Sequence, residues 1–326
     1  MVDVVTVGEA MALLIAQQPG PLEDVQGFTR ATAGAELNVA VGLARLGLKV
    51  AYVSRVGNDS LGRQLLAFMD REGIDCRRVA VDAAHPTGLM LKSLVEDGSD
   101  PAIEYFRKGS AASHLEPADC PAAVFRGARH LHLTGIGPAI SPSLRTLVFQ
   151  MARDAREAGC SISFDPNLRP RLWASEAQMR DTLNELAALC DWVLPGMAEG
   201  RLLTGTDTAE GMADFYLARG AKAVAIKLGP EGAYCASHQG HATVPGVAVR
   251  RVVDTVGAGD AFAVGVISGL LEGLALPDAV RRGNLIGARV VQFPGDSDGL
   301  PLRRELDDDD AEAARTSALS IGSARR

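Results

Sequence analysis

The sequence has no excess of positive charge: 33 lysines and arginines face 40 aspartates and glutamates in 326 residues, a formal charge of -7. That balance offers no electrostatic footprint for nucleic acid or for an anionic membrane. Paired cysteines are missing too. The five present, at 76, 120, 160, 190 and 235, are scattered with no Cys-x-x-Cys. A zinc knuckle or a disulfide frame is thereby excluded, and a reduced, cytoplasmic chain is expected. No apolar run is long enough to span a bilayer, since the longest, Ala261 to Leu271, is short and holds two glycines. The opening MVDVVTVGEA lacks a basic segment, and Asp3 and Glu9 interrupt its apolar run. It reads as a strand, not a signal peptide. No Gly-Lys pair occurs anywhere, so a Walker A loop is excluded. A nicotinamide fingerprint fails as well, because Gly135-Ile136-Gly137-Pro138 is followed by no third glycine.

What is there is 47% apolar, enough for a large core, and the length suits an α/β fold around one core as well as two domains. Runs rich in Val, Ile and Leu recur at Val2–Val7, Val50–Val53, His130–Thr134, Ser161–Phe164, Trp192–Leu194 and Ala223–Lys227. Several are apolar on consecutive residues, the pattern of parallel strands covered on both faces. Helical periodicity covers Ala35–Leu46, Leu61–Glu72, Ser143–Ala158, Glu176–Leu189, Ala209–Arg219, Ala258–Leu271 and Asp278–Val291. The alternation predicts a three-layer α/β/α domain with a mostly parallel sheet over residues 1–304.

Two segments, at about 11–33 and 87–109, break the alternation. The first contains Pro19-Gly20-Pro21; the second has strand-like pieces, Gly88–Val95 and Ile103–Arg107, joined by the turn-rich Glu96-Asp97-Gly98-Ser99-Asp100-Pro101. They are expected to form a small β-sheet lid rather than two surface hairpins. The acidic run Glu305–Asp310 opens a tail, 305–326, that reads as frayed and disordered.

One short string carries most of the chemistry: Val253-Asp254-Thr255-Val256-Gly257-Ala258-Gly259-Asp260-Ala261-Phe262. Two glycines around an alanine leave nothing larger than a methyl over three residues, just where a helix is expected to begin. Free N–H groups and aligned peptide dipoles make such a start attractive to a phosphate. Asp260, in the first turn, can accept the proton of an attacking hydroxyl in phosphoryl transfer.

The full string resembles the C-terminal signature of the ribokinase-like (PfkB) sugar kinases. Ala33-Gly34-Ala35-Glu36-Leu37-Asn38 resembles that family's N-terminal sugar-binding segment, and Arg55-Val56-Gly57-Asn58-Asp59-Ser60-Leu61-Gly62 its R-x-G-x-D-x-x-G signature. The resemblance covers nearly the whole chain. It implies Asp260 as catalytic base, with Gly257, Ala258 and Gly259 as the anion hole. It implies Gly34 and Asn38 on sugar hydroxyls, although Ala33 stands where a glycine is usual. Lys227, Gly229 and Gly232 would lie by the nucleotide, with Asn284 beside adenine. Taken alone, Lys227 reads equally as an exposed edge lysine and Asn284 as a solvated helix residue. Glu199 would act on Mg²⁺ through water; Gly196 stands where the family has an asparagine. ATP and Mg²⁺ are the implied cofactors, with a monovalent cation a further candidate. Pairing of lids into a dimer is implied as well.

Within the family, Tyr105-Phe106-Arg107-Lys108-Gly109-Ser110-Ala111, Asp165-Pro166-Asn167-Leu168-Arg169 and Gly295-Asp296-Ser297-Asp298-Gly299 resemble the 2-keto-3-deoxygluconate kinases. That implies a sugar-acid site lined by Tyr105, Phe106, Arg107, Asn167, Arg169 and Asp296, with Met90 in place of a lid tyrosine and Asn167 also on the nucleotide side. Physically, two arginines at the C-terminal ends of strands match a carboxylate better than a neutral hexose. A fructokinase-type enzyme, with the arginines serving phosphate or structure, is the alternative; a sugar-binding protein without turnover is a third. His130 and His132 alternate on one strand face like a metal pair, but no third ligand is near, so packing is expected.

Overall fold

Thirteen strands form among residues 1–95 and 101–307, which the computed structural model describes. Nine build one sheet. In spatial order they are β13 (Gly240–Pro245), β12 (Gly232–Ser237), β11 (Ala223–Lys227), β10 (Trp192–Val193), β9 (Ser161–Asp165), β8 (His130–Thr134), β1 (Val4–Val7), β4 (Val50–Gly57) and β5 (Asp75–Asp82). From β11 to β5 every pairing is parallel. The hairpin β12–β13 closes one edge antiparallel. β1 and β8 are buried at every residue, β1 as the valine-rich run Val4–Val7 predicts and β8 although it carries His130, His132 and Thr134.

Two helical layers cover the sheet. On one face lie α1 (Ala35–Arg45), α2 (Ser60–Arg71), α8 (Ala258–Leu271) and α9 (Leu276–Val290), whose Leu37, Leu65, Val264 and Ile286 share a core with Val4 and Val50. On the other lie α4 (Pro142–Glu157), α5 (Glu176–Ala187), α6 (Met197–Thr204) and α7 (Ala209–Leu217), whose Leu144, Met179, Leu203 and Met212 pack with Val5, Leu131 and Val224. The short α3 (Ile136–Ile140) follows β8. Alternate strand residues thus feed opposite cores. The edge elements β5, β12 and β13 and the short α6 have no counterpart in the sequence reading. β5 carries only weak apolar alternation and is half-exposed along its length, and β12 begins straight after a glycine turn.

The remaining strands form the lid, in the order β3 (Phe28–Ala33), β2 (Met11–Pro19), β6 (Leu89–Leu94) and β7 (Ile103–Phe106). The two irregular segments therefore make one sheet with its own apolar patch of Met11, Leu13, Ile15, Ala33 and Met90. The turn expected at 96–100 lies outside the described residues. The lid's root is fixed by the second signature: Asp59 caps α2 through the Gly62 N–H at 2.7 Å and also accepts the Thr87 N–H at 2.9 Å and the Thr87 hydroxyl at 2.8 Å. Arg55 of that signature pairs with Asp119 at 2.7 Å. At the other end, residues 303–307 are helical and Leu306 is buried, so the ordered body reaches past 304; the tail beyond 307 lies outside the described residues.

Candidate active site

The C-terminal ends of the parallel strands open under the lid, where an open α/β sheet places its ligand crevice. A cleft of about 440 Å³ lies between lid and sheet, and an apolar pocket of about 350 Å³ lies beside α8 and α9. The two meet at Lys227, Thr255 and Gly259. Asp260 sits at the floor of the cleft in the first turn of α8.

Glycine is required at the helix start. Gly257 has φ 85°, and a Cβ there would lie 2.4 Å from the Asp296 carbonyl oxygen. At Gly259 a Cβ would stand 3.4 Å from the Lys227 Nζ, in ordinary contact with the ammonium. Ala258 turns its N–H back to the Thr255 carbonyl at 3.3 Å and lines the apolar pocket instead. First-turn amides have no carbonyl partner in their own helix, which makes this an anion cradle with a lysine at its side.

Asp260 is 8% exposed. Its Oδ2 accepts from Asn38 Nδ2 at 2.8 Å and its Oδ1 from Asn167 Nδ2 at 3.3 Å. Burial pushes its pKa up to about 8, the Asn38 bond opposing and the Asp165 carboxylate adding to the rise. A base poised near neutrality is what proton abstraction from an alcohol needs. Asn167 reaches it from a left-handed backbone, φ 40°, unique among the described non-glycine residues. Asparagine tolerates that conformation, and strain of this kind gathers at functional sites. Lys227 bonds Asp165 at 2.7 Å. Burial would lower its pKa, but Asp165 and Glu199 raise it, so it stays an ammonium. Ending an interior strand, it is not the edge lysine of the plainer reading.

Gly34, Asn38, Met90, Tyr105, Arg107, Asn167, Arg169 and Asp296 all line the cleft. Gly34, at φ 134°, lets the start of α1 pass the Glu9 carbonyl, where a Cβ would meet it at 2.5 Å. Phe106 does not line it. Alternate strand residues face opposite ways, so Tyr105 and Arg107 point in while Phe106 is 56% exposed outside. The two arginines also differ. Arg107 pairs with Glu9 at 2.5 Å, whereas among the described residues no carboxylate pairs with Arg169, whose Nη1 donates to the Leu168 carbonyl at 2.9 Å. The Asp296 carboxylate is engaged by Lys92 at 2.8 Å.

Gly229, Gly232 and Asn284 line the apolar pocket with Val247, Val252 and Val291. The Asn284 amide donates to the Val244 and Pro245 carbonyls at 3.2 and 3.0 Å, fixing the pocket wall. Glu199 lines the cleft, but its Oε1 accepts the Leu168 N–H and its Oε2 the Gly196 N–H, each at 2.8 Å. It therefore holds the chain that carries Asn167 and Arg169. His130 and His132 are spent on serines, His130 between Ser161 and Ser163 at 2.8 and 2.7 Å and His132 on Ser163 at 2.8 Å. Burial holds both rings neutral, His132 down to about 3. Asp165, Glu9, Lys92 and Asp254 escaped the sequence reading. Asp165 and Asp254 stood inside quoted motifs without a role, and Lys92 carried no local signal.

A buried carboxyl group with a raised pKa at a glycine-rich helix start, between a polar cleft and an apolar pocket, has the chemistry that phosphoryl transfer to an alcohol asks for. Known proteins agree. The description "pfkB family carbohydrate kinase" matches residues 1–303. A 2-dehydro-3-deoxygluconokinase of Bacillus subtilis (strain 168) is 54% identical over 305 residues, 93% of this chain and 94% of that protein. The solved PfkB protein from Polaromonas sp. JS666 superposes with TM-score 0.87 at 55% identity, covering 94% of this chain and 99% of that one. A chain given as ribokinase II from E. coli, solved in complex with ATP and Mg²⁺, has TM-score 0.87 at 26% identity, covering 96% and 100%. The chain belongs to the pfkB family of carbohydrate kinases.

Proposed function

We propose that this carbohydrate kinase transfers the γ-phosphoryl group of ATP to the terminal hydroxyl of 2-keto-3-deoxygluconate, giving the 6-phosphate and ADP. The observation that carries the acceptor class is that one cleft holds both the base, Asp260, and a guanidinium, Arg169, that no carboxylate neutralises among the described residues. A sugar carboxylate supplies the missing partner, and arginine's fork matches it. Arg107, already paired with Glu9, orients the acid with less net charge.

Asp260 takes the hydroxyl proton as the oxygen bonds to the γ-phosphorus. The bond from that phosphorus to the bridging oxygen breaks, and its electron pair leaves with ADP. The amides at Gly257 and Gly259, together with Lys227, meet the charge on the transferred group. Nucleotide fits the apolar pocket through its base and the glycine turns through its phosphates. The hard oxygens of Asp165 and Glu199 at the phosphate end suit Mg²⁺, and these two residues would hold it, Glu199 through water. When bound, that ion would supply neutralisation of phosphate charge. The protein acts on small molecules as a lid-paired dimer.

The test is ATP- and Mg²⁺-dependent ADP release with 2-keto-3-deoxygluconate, its 5-dehydro-2-deoxy isomer, fructose, ribose and gluconate. A preference for the 2-keto-3-deoxy acid that Arg169→Ala erases supports the reading. Preference for fructose or ribose overturns the acceptor and leaves Asp260 as base.

A further inference from the structure

Lys92 lies on lid strand β6, yet it is 2% exposed, and it reaches the main body rather than solvent. Its ammonium pairs with Asp254 and, at 2.8 Å, with Asp296. Both acids are buried too, at 6% and 4%. Burial pulls the lysine's pKa down, but the two carboxylates more than restore it, so the charge is kept.

The acids stand on the two loops that shape the anion cradle. Asp254 accepts the Val256 N–H at 3.0 Å and so sets the turn into Gly257. The backbone carbonyl of Asp296 packs on Gly257 closely enough to forbid a side chain there. Two buried carboxylates this near a phosphate site would repel each other and the phosphate unless a cation lay between them.

We propose that Lys92 is the built-in monovalent cation of this enzyme, a positioning residue whose ammonium holds the Asp254 and Asp296 loops in the geometry of the anion cradle, so that turnover needs no added K⁺ or other monovalent ion. The inference rests on the kinase reading above and adds a residue to it. A monovalent ion does not fit between these carboxylates, because the lysine's donors already fill the place. Carried on the lid, the charge reaches the cradle only while the lid is seated.

The experiment compares wild type with Lys92→Ala in K⁺, ammonium and tetramethylammonium chlorides at equal ionic strength. Wild-type turnover is expected to agree within about twofold across the three salts. Lys92→Ala is expected to lose about 10²-fold or more in kcat, the scale of losing one preorganised charge-stabilising donor. Ammonium or K⁺, but not the bulky tetramethylammonium, is expected to return at least about tenfold of that loss, with the KM for acceptor little changed. The melting temperature of Lys92→Ala should rise in ammonium relative to tetramethylammonium while that of wild type does not. This readout needs no substrate, so it separates failure of this inference from a wrong acceptor.

A tenfold or greater stimulation of wild type by K⁺ overturns the proposal. So does a folded Lys92→Ala enzyme that keeps its kcat, or one that small cations leave unrestored, which is what a merely structural lid pin would give. If Lys92→Ala does not fold, the Lys92→Met/Asp296→Asn enzyme, which removes charge of both signs, carries the same salt comparison.

Discussion

At the scale of single residues, function is written in two groups whose surroundings oppose their chemistry: a buried acid and an unneutralised arginine. Asp260 keeps its proton up to about pH 8 in the free protein because burial outweighs the Asn38 bond. The expected pH profile of kcat/KM therefore rises with pH through that region and falls below it, and a rate profile in buffers of constant ionic strength checks it. Asp260→Asn is expected to lose about 10²–10⁴-fold in kcat while acceptor binding persists, the usual share of a general base. The same shift bears on stability. The folded state holds this proton between the ordinary carboxylate value of 3.8 and about 8, whereas the unfolded chain has released it. Stability from this group is thus complete below that window and lost as pH rises through it. Urea midpoints at pH 6 and pH 8.5 should differ less in Asp260→Asn than in wild type. For Arg169→Ala the expected change is a KM for the sugar acid raised about 10–100-fold, from roughly 1.5–3 kcal/mol in charged hydrogen bonds. Arg107→Ala should cost less, because Glu9 already consumes part of its charge; equal losses would count against that distinction.

At the scale of elements, the two N-terminal signatures do different work. The Gly34–Asn38 segment starts α1 and aims an amide at the Asp260 carboxylate. The Arg55–Gly62 segment makes no contact with Asp260; it ties α2 to the root of the lid through Asp59 and Thr87. Asp59→Ala removes a helix cap and both bonds to Thr87 together. A loss of about 0.5–2 kcal/mol is expected from the cap alone, with a raised acceptor KM as the lid loosens. Thermal melts and a KM-against-kcat comparison read the two effects separately. The elements also show what sequence could carry. The valine-rich run Val4–Val7 marked β1, and the glycines of 257–259 marked the start of α8, because each is a local demand on side-chain size or burial. Phe106 was misplaced because a motif does not say which face of β7 turns inward. Lys92 was invisible for another reason: Asp254 and Asp296 lie 162 and 204 residues away along the chain, and only the closure of lid on body brings them together. Glu199 was foreseen as a metal contact; the structure shows it clamping Leu168 and Gly196, a use set by backbone geometry that no spacing reveals.

At the scale of the whole molecule, the lid is a small sheet with open edges. Its four strands end in two unpaired edges, β3 and β7, and β7 exposes Tyr105 and Phe106 at 42% and 56%. Open edges with apolar side chains invite pairing with another strand, and proteins ordinarily cover or charge them. Among the described residues, neither edge of this lid is covered by another strand, and the lid's apolar patch is small, five buried residues, against the two large cores of the main body. A second copy meeting lid to lid would cover Phe106 and steady the strand that carries Arg107 into the cleft. The chain of 34.2 kDa is therefore expected to run at twice that mass in light scattering at micromolar concentration. Phe106→Lys should shift it to the monomer and raise the acceptor KM, because Arg107 follows Phe106 directly and loses the support of a rigid edge. A wild-type monomer at assay concentration, or a monomeric Phe106→Lys enzyme with unchanged KM, would mean that the lid is stiff enough alone and that Lys92, not a partner, holds it in place.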